Sequence, residues 1–292
     1  MLSLHTNFAS LSAQTSLGRT QTALSTSQTR LSTGHRINSA MDDAAGLQIA
    51  TRLKAQTSGM AVAMRNTQNA TSMLQTGEGA FDEVSNMLSR MKDLATQAAD
   101  ASSSADDQVA MQAEFDALGN QLTQVMANTS FGGMNLLAGT TGALTTALTF
   151  QIGATTSETF VLDLSSGFSA LQAALSSSSS NFSADGSAVS VSGSELLSTA
   201  SANSIIDQLS TALTAVGTVR SALGAAANRL DHIYNNLQNQ STNTTQAASR
   251  IMDVDYASET ANQTTQSMLA QAGTAMLKQS GQMSQLVMSL LQ

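Results

Sequence analysis

Cysteine, proline and tryptophan are absent from these 292 residues, and aromatics reach only 3% and charged residues 11%. Each shortage excludes something. Without Cys there is no disulfide, no thiol nucleophile and no thiolate-bound zinc. Without Pro, no position forces a helix to end. With so few rings a single compact core would be poor, because aromatics bury the most area per residue. The 12 Lys and Arg stand against 20 Asp and Glu, a formal net charge of -8 with no basic run, which argues against nucleic acid as a partner. No apolar run is long enough for a membrane span. The start, Met1-Leu2-Ser3-Leu4-His5-Thr6, lacks a basic region followed by an apolar one, so no secretory signal is expected there. His5, His35 and His232 sit in no zinc-peptidase or triad pattern. No catalytic residue, cofactor or metal ligand is assigned, and Asp253-Val254-Asp255 lacks the further oxygen ligand and glycine of a calcium loop.

Ala, Ser, Thr, Gln, Asn and Met fill the balance, and their apolar members recur at helical spacing. Leu4, Leu11, Leu17, Leu24 and Leu31, with Phe8 beside them, predict a first helix. A second is expected over 43–99, best marked by Val84, Met87, Met91, Leu94 and Ala98, with Gly59, Gly77 and Gly79 weakening its middle. Met111, Phe115, Leu118, Leu122 and Val125 predict a third over 106–128. The clearest, over 195–240, carries Ile206, Leu209, Leu213, Val216, Val219, Leu223, Ala226, Leu230, Ile233 and Leu237. That stripe would run about 48 Å at 1.5 Å per residue and must be buried on other helices. A fifth closes the chain on the seam Leu269, Ala272, Met276, Gln279, Met283, Leu286 and Leu290. Ser39 is a candidate cap of the second helix, with Asp42 and Asp43 in its first turn, where the helix dipole favours negative charge.

In the middle the period falls to two. Leu148, Phe150 and Ile152, then Phe160, Leu162 and Leu164, flank the turn Gly153–Glu158 and predict a β-hairpin. Residues 166–193, with the run Ser176–Ser180, read as exposed and irregular, with a short strand at Val189 and Val191. The fold class is therefore mainly α, a long-helix antiparallel bundle or coiled coil with a small β-hairpin insertion. Pairing of the two terminal seams would bring the chain ends together and leave apolar surface that assembly into a helical filament would cover.

Several blocks then carry a resemblance. Leu31-Ser32-Thr33-Gly34-His35-Arg36-Ile37-Asn38-Ser39-Ala40-Met41-Asp42-Asp43-Ala44-Ala45-Gly46 is similar to the signature after the first helix of bacterial flagellins. Phe131-Gly132-Gly133-Met134-Asn135-Leu136-Leu137, Arg220–Leu230, Ser249–Ala257 and Gln271–Leu277 with the ending Leu290-Leu291-Gln292 resemble later blocks of that family, in order. Ala227, where the family usually has Gln, and His35 depart from its pattern.

The resemblance implies a structural subunit of the bacterial flagellar filament, not an enzyme, exported unfolded by the flagellar type III apparatus and secreted. The hook–filament junction protein is the alternative. It also implies an inner-core coiled coil from 1–40 and 251–292, an outer-core bundle with the hairpin from 41–165 and 194–250, and a short variable exposed segment over 166–193. The expected polymerisation interface is Leu4, Phe8, Leu11, Leu24, Leu31, Leu269, Met276, Met283, Leu286 and Leu290. Expected partners are other flagellin subunits, an export chaperone, and cap and junction proteins, with no nucleic acid and no membrane. Arg90, Leu94 and Glu114 match the family's surface for an animal Toll-like receptor.

Overall fold

The computed structural model describes residues 7–139, 141–187 and 192–290, with side chains of the last stretch described as far as residue 282. Helices α1 (Phe8–Thr33), α2 (Ala44–Ala98) and α3 (Ala105–Asn128) are followed by two antiparallel hairpins. These are β1 (Ser130–Phe131) with β2 (Met134–Asn135), and β3 (Leu148–Gln151) with β4 (Thr159–Leu162). Helices α4 (Ser165–Ser178), α5 (Thr199–Met252) and α6 (Tyr256–Leu290) complete the order. The chain divides into two compact units, one of Met1–Thr57 with Thr242–Gln292 and one of Ser58–Ser241.

In the second unit the expected seams meet. Phe81, Val84, Leu88, Met91, Leu94 and Ala98 of α2 are buried with Phe115 and Leu122 of α3. From α5 they receive Leu209, Val216, Val219, Leu223 and Leu230. Each such side chain contributes about 1.5–3 kcal/mol on burial. That outweighs the propensity cost of Gly59, Gly77 and Gly79, and α2 runs unbroken through all three. On α5 the stripe is rotated slightly from expectation. Ile205 and Ala212 are fully buried, while Ile206 and Leu213 are only partly buried against the same core. Helix α3 begins at a capping box, in which Ser104 Oγ accepts from the Asp107 amide at 3.2 Å and the Asp107 carboxylate accepts from the Ser104 amide at 3.1 Å. The predicted hairpin forms with Leu148 opposite Leu162 and Phe150 opposite Phe160. Arg229 of α5 lies 4.8 Å over the Phe160 ring.

Residues 166–193 differ from the irregular segment that their composition predicts. Ser165–Ser178 is a helix whose Phe168, Leu171 and Leu175 are buried, with Phe168 edge-on to Phe81 at 5.6 Å. Leu164, Phe168, Leu171 and Leu175 keep a 4-3-4 spacing that the serine run conceals. Beyond the helix, Asn181 Nδ2 donates to Asp116 and Gln112 Nε2 donates to Asp116 and Glu195, each at 2.7–2.8 Å. Burial pushes the Glu195 carboxyl up, but bonds from the Ser180 hydroxyl and amide and from Gln112 outweigh it and leave the group below its ordinary value. The strand expected at Val189 and Val191 lies outside the described residues.

Candidate assembly surface

The first unit is built on α1 and α6, which lie antiparallel. Asn7 caps α1 by accepting from the Ser10 amide at 3.1 Å and donates to Ser280 at 3.2 Å. Further along, Gly273 faces Leu17, Ser27 Oγ donates to Glu259, and Arg30 reaches the same carboxylate at 3.9 Å. Six hydroxyls of α1 (Thr15, Thr20, Thr22, Thr26, Thr29 and Thr33) donate to the carbonyl one turn back.

At the far end of the pair, α1 stops at Gly34, whose φ of 74° places it in the left-handed region that glycine tolerates best. Arg36 N donates to Met252 O at 2.6 Å and Val254 N to Gly34 O at 3.0 Å, while His35 and Asp253 approach to 3.4 Å. The expected roles of Ser39, Asp42 and Asp43 are corrected here. Helix α2 is capped by Asp43, whose carboxylate accepts from the Gly46 amide at 2.8 Å. Asp42 instead turns back to accept from the amides of Asn38 and Ser39, and these bonds hold its carboxyl below the usual range. Ser39 donates its hydroxyl to that carboxylate and caps nothing. Asp255 caps α6 by accepting from the Ala257 amide at 3.0 Å.

The seam between α1 and α6 is not the apolar stripe that periodicity picks out on α6. The residues that α1 covers are Glu259, Gln263, Gln266, Ala270, Gly273, Leu277 and Ser280, at alternating steps of four and three. Leu269 (51% exposed), Ala272 and Met276 (66%) lie on the other side. Close approach of two helices selects small residues at the contact, and Ala270 and Gly273 supply them where the bulkier stripe would hold α1 off. On α1, Leu24 and Leu31 are half-buried in the seam, whereas Phe8 (72%) and Leu11 (53%) are exposed. Leu4 and the side chains of Met283, Leu286 and Leu290 lie outside the described residues. The exposed large apolar side chains of the pair include Phe8, Leu11, Met268, Leu269 and Met276.

In the second unit Arg90 and Glu114 are brought together at 2.7 Å, both about half exposed. Leu94, expected beside them on a surface, is 3% exposed and packs into the core between α2 and α3. Arg220, quoted in the sequence blocks without a role, forks to Glu78 at 2.9 Å and Asp82 at 3.1 Å, which raises its already high pKa. Neither this fork nor the Ser27–Glu259 pair is legible from periodicity, since each joins residues more than a hundred positions apart.

Comparison with known proteins decides what these helices belong to. The family described as the bacterial flagellin N-terminal helical region matches residues 4–142, and the bacterial flagellin C-terminal helical region matches 206–291. The chain belongs to the bacterial flagellin family. A flagellin of Halalkalibacterium halodurans is 36% identical over 288 residues, covering 99% of both chains. Flagellin A of Vibrio anguillarum is 31% identical over an alignment spanning both chains fully. A putative flagellar hook-associated protein from Vibrio parahaemolyticus shares the fold, with a TM-score of 0.54 over 73% of this chain and 100% of the other, at 17% identity. That likeness shows architecture alone, and the junction-protein alternative is not favoured against flagellin relatives of matching length. As a flagellin, the chain is a structural subunit of the bacterial flagellar filament that polymerises with other flagellin subunits, and it is not an enzyme.

Proposed function

We propose that polymerisation runs through the uncovered face of the α1–α6 pair. The observation that carries this is the exposure of Phe8, Leu11, Leu269 and Met276 along helices that already bury their other side on each other. A free subunit hydrating that face gains by covering it against a second copy, and repetition of one such head-to-tail contact builds a filament. Leu24 and Leu31 support the face from the seam, and the proposed interface also includes Leu4, Met283, Leu286 and Leu290. In this reading residues 1–40 and 251–292 form the inner core of the filament. Residues 41–165 and 194–250 form the outer core, and 166–193 is the short variable segment. The subunit is secreted unfolded through the flagellar type III apparatus, attended by an export chaperone and by cap and junction proteins. Unbroken helices without Pro or disulfides suit a chain that must refold after threading a channel.

The test is seeded elongation followed by electron microscopy, with the full chain beside versions lacking 1–35 or 258–292. Long filaments from the full chain and none from either truncation are expected. Failure of the full chain to extend competent flagellin seeds would remove this reading.

A contact with an animal Toll-like receptor is proposed at the Arg90–Glu114 pair, with Leu94 supporting it from beneath and not touching the receptor. Receptor stimulation by Arg90→Ala monomer should fall well below that of the parent. Undiminished potency would sink the assignment.

A further inference from the structure

We propose that Met276 is an oxidation site at which hydrogen peroxide or an organic hydroperoxide stops a free subunit from joining the filament, and that assembly then protects the residue. The order in which methionines react stands on the subunit alone, and the effect on assembly rests on the polymerisation reading above.

The composition directs a hydroperoxide to methionine. Sulfur is the atom such oxidants attack, and the chain has no Cys and 15 Met. The fold then sorts the thioethers by access. Met60, Met73, Met87, Met91, Met111 and Met126 are buried in the second unit, and Met64 and Met252 are half-buried. Met41 (97% exposed), Met134 (53%), Met268 (58%) and Met276 (66%) are open to water. The side chains of Met1, Met283 and Met288 lie outside the described residues. Susceptibility follows exposure, so the four open sites react in the free subunit while the six buried ones are spared.

Met276 is the open site where a change of polarity matters most. Met41 lies in the loop between α1 and α2 and Met134 in β2, away from the proposed interface. Met276 stands two turns along α6 from the exposed Leu269, on the same side of the helix. A lone pair of its sulfur attacks one peroxide oxygen, so that an S–O bond forms and the O–O bond breaks. The departing oxygen takes a proton and leaves as water or, from an organic hydroperoxide, as an alcohol. Sulfur gives up two electrons and the peroxide accepts them. The sulfoxide is nearly the size of the thioether but carries a strong hydrogen-bond acceptor. In the free subunit water solvates that oxygen, and a side chain this exposed contributes little to the subunit's own packing. Covering it against a second copy strips the water away. Phe8, Leu11 and Leu269, which the polymerisation reading covers with it, offer no hydrogen-bond donor in exchange. The same covering removes an unreacted Met276 from the oxidant, so a finished filament is spared where a free subunit is not.

The test lets sulfoxides at different sites compete within one population of full-length chains. Free subunits are treated with hydrogen peroxide until less than one sulfoxide per chain has formed on average, so that each site is read nearly alone. They are then offered to competent flagellin seeds until about half has polymerised. Filaments are pelleted, and peptide mass spectrometry compares the sulfoxide content of each methionine in the filament with that in the residual pool. A second arm treats finished filaments with the same peroxide. A third incubates the excluded subunits with methionine sulfoxide reductases before offering them to fresh seeds.

Sulfoxide at Met276 should be at least about tenfold scarcer in the filament than in the residual pool, while sulfoxides at Met41 and Met134 divide evenly. Met276 should oxidise at least about tenfold more slowly in finished filaments than in free subunits, and reductase should return the excluded subunits to elongation. Equal Met276 sulfoxide in filament and pool would overturn the proposal. So would exclusion of every sulfoxide alike, which reports a general fault of the oxidised chain. If untreated Met276→Ser subunits fail to elongate while Met276 sulfoxide is admitted, the proposal falls and the polymerisation reading stands. Failure of the untreated parent to extend seeds would remove that reading and, with it, the assembly effect proposed here.

Discussion

At the scale of single residues, the structure assigns work to side chains that differ little in type. Asp42 and Asp43 are neighbours with the same group, yet one closes a loop and the other caps a 55-residue helix. Asp43→Ala should lower unfolding stability by about 1 kcal/mol, and Ser39→Ala by clearly less; equal losses in urea titrations would contradict the assignment. Gly34→Ala should cost about 1–2 kcal/mol, since a Cβ forces the left-handed conformation on a residue that resists it. The added carbon would also stand 3.0 Å from the Tyr256 hydroxyl. The capping box gives a pH signature. Bonds from the Ser104 hydroxyl and amide hold the Asp107 carboxyl below its ordinary 3.8. A depressed folded-state pKa stabilises fully above the unfolded value and is lost as pH falls through the folded one. Ser104→Ala removes the larger of the two causes, the hydroxyl, so its urea midpoint should fall less steeply than the parent's from about pH 5 to about pH 2. Parallel curves would show that the box contributes nothing.

At the scale of elements, helix existence follows from spacing and helix neighbours do not. Leu223 sits where the α5 stripe predicts and is buried, so Leu223→Ala should cost about 2–5 kcal/mol, depending on how far the site collapses. Helix α4 is the harder case. Its apolar positions are regular, but they are few and lie beside a serine run, so composition outweighs periodicity when the segment is read alone. Only the core offered by Phe81 and its neighbours makes the four-residue stripe worth burying. Phe168→Ala should therefore cost about 3–5 kcal/mol in thermal unfolding. An exposed irregular segment would change by less than about 0.5 kcal/mol.

At the scale of the whole molecule, the distinction that matters is between apolar residues that hold the subunit together and those that remain for its neighbours. Leu269 and Met276 are exposed and, in the polymerisation reading proposed above, belong to the second kind. The double change Leu269→Ser with Met276→Ser should leave subunit stability within about 0.5 kcal/mol and abolish seeded elongation. A matching loss of stability would place them in the subunit's own core instead. Periodicity finds these residues, because they repeat at helical steps. It does not say on which side of the helix the partner from the same chain lies, and the described part of the stripe it selects, from Leu269 to Gln279, proves to be exposed.

Helix-forming segments, the hairpin and the family itself were legible in the order of residues, because helical and strand periods and short motifs are local properties. Whether α1 meets α6 through its bulky stripe or its small one, whether Leu94 faces solvent, and whether the serine-rich middle folds were settled only by tertiary structure. Each of these depends on what lies across a contact between residues far apart in the chain. A one-dimensional pattern records that a face is apolar, and only the folded molecule determines what covers it.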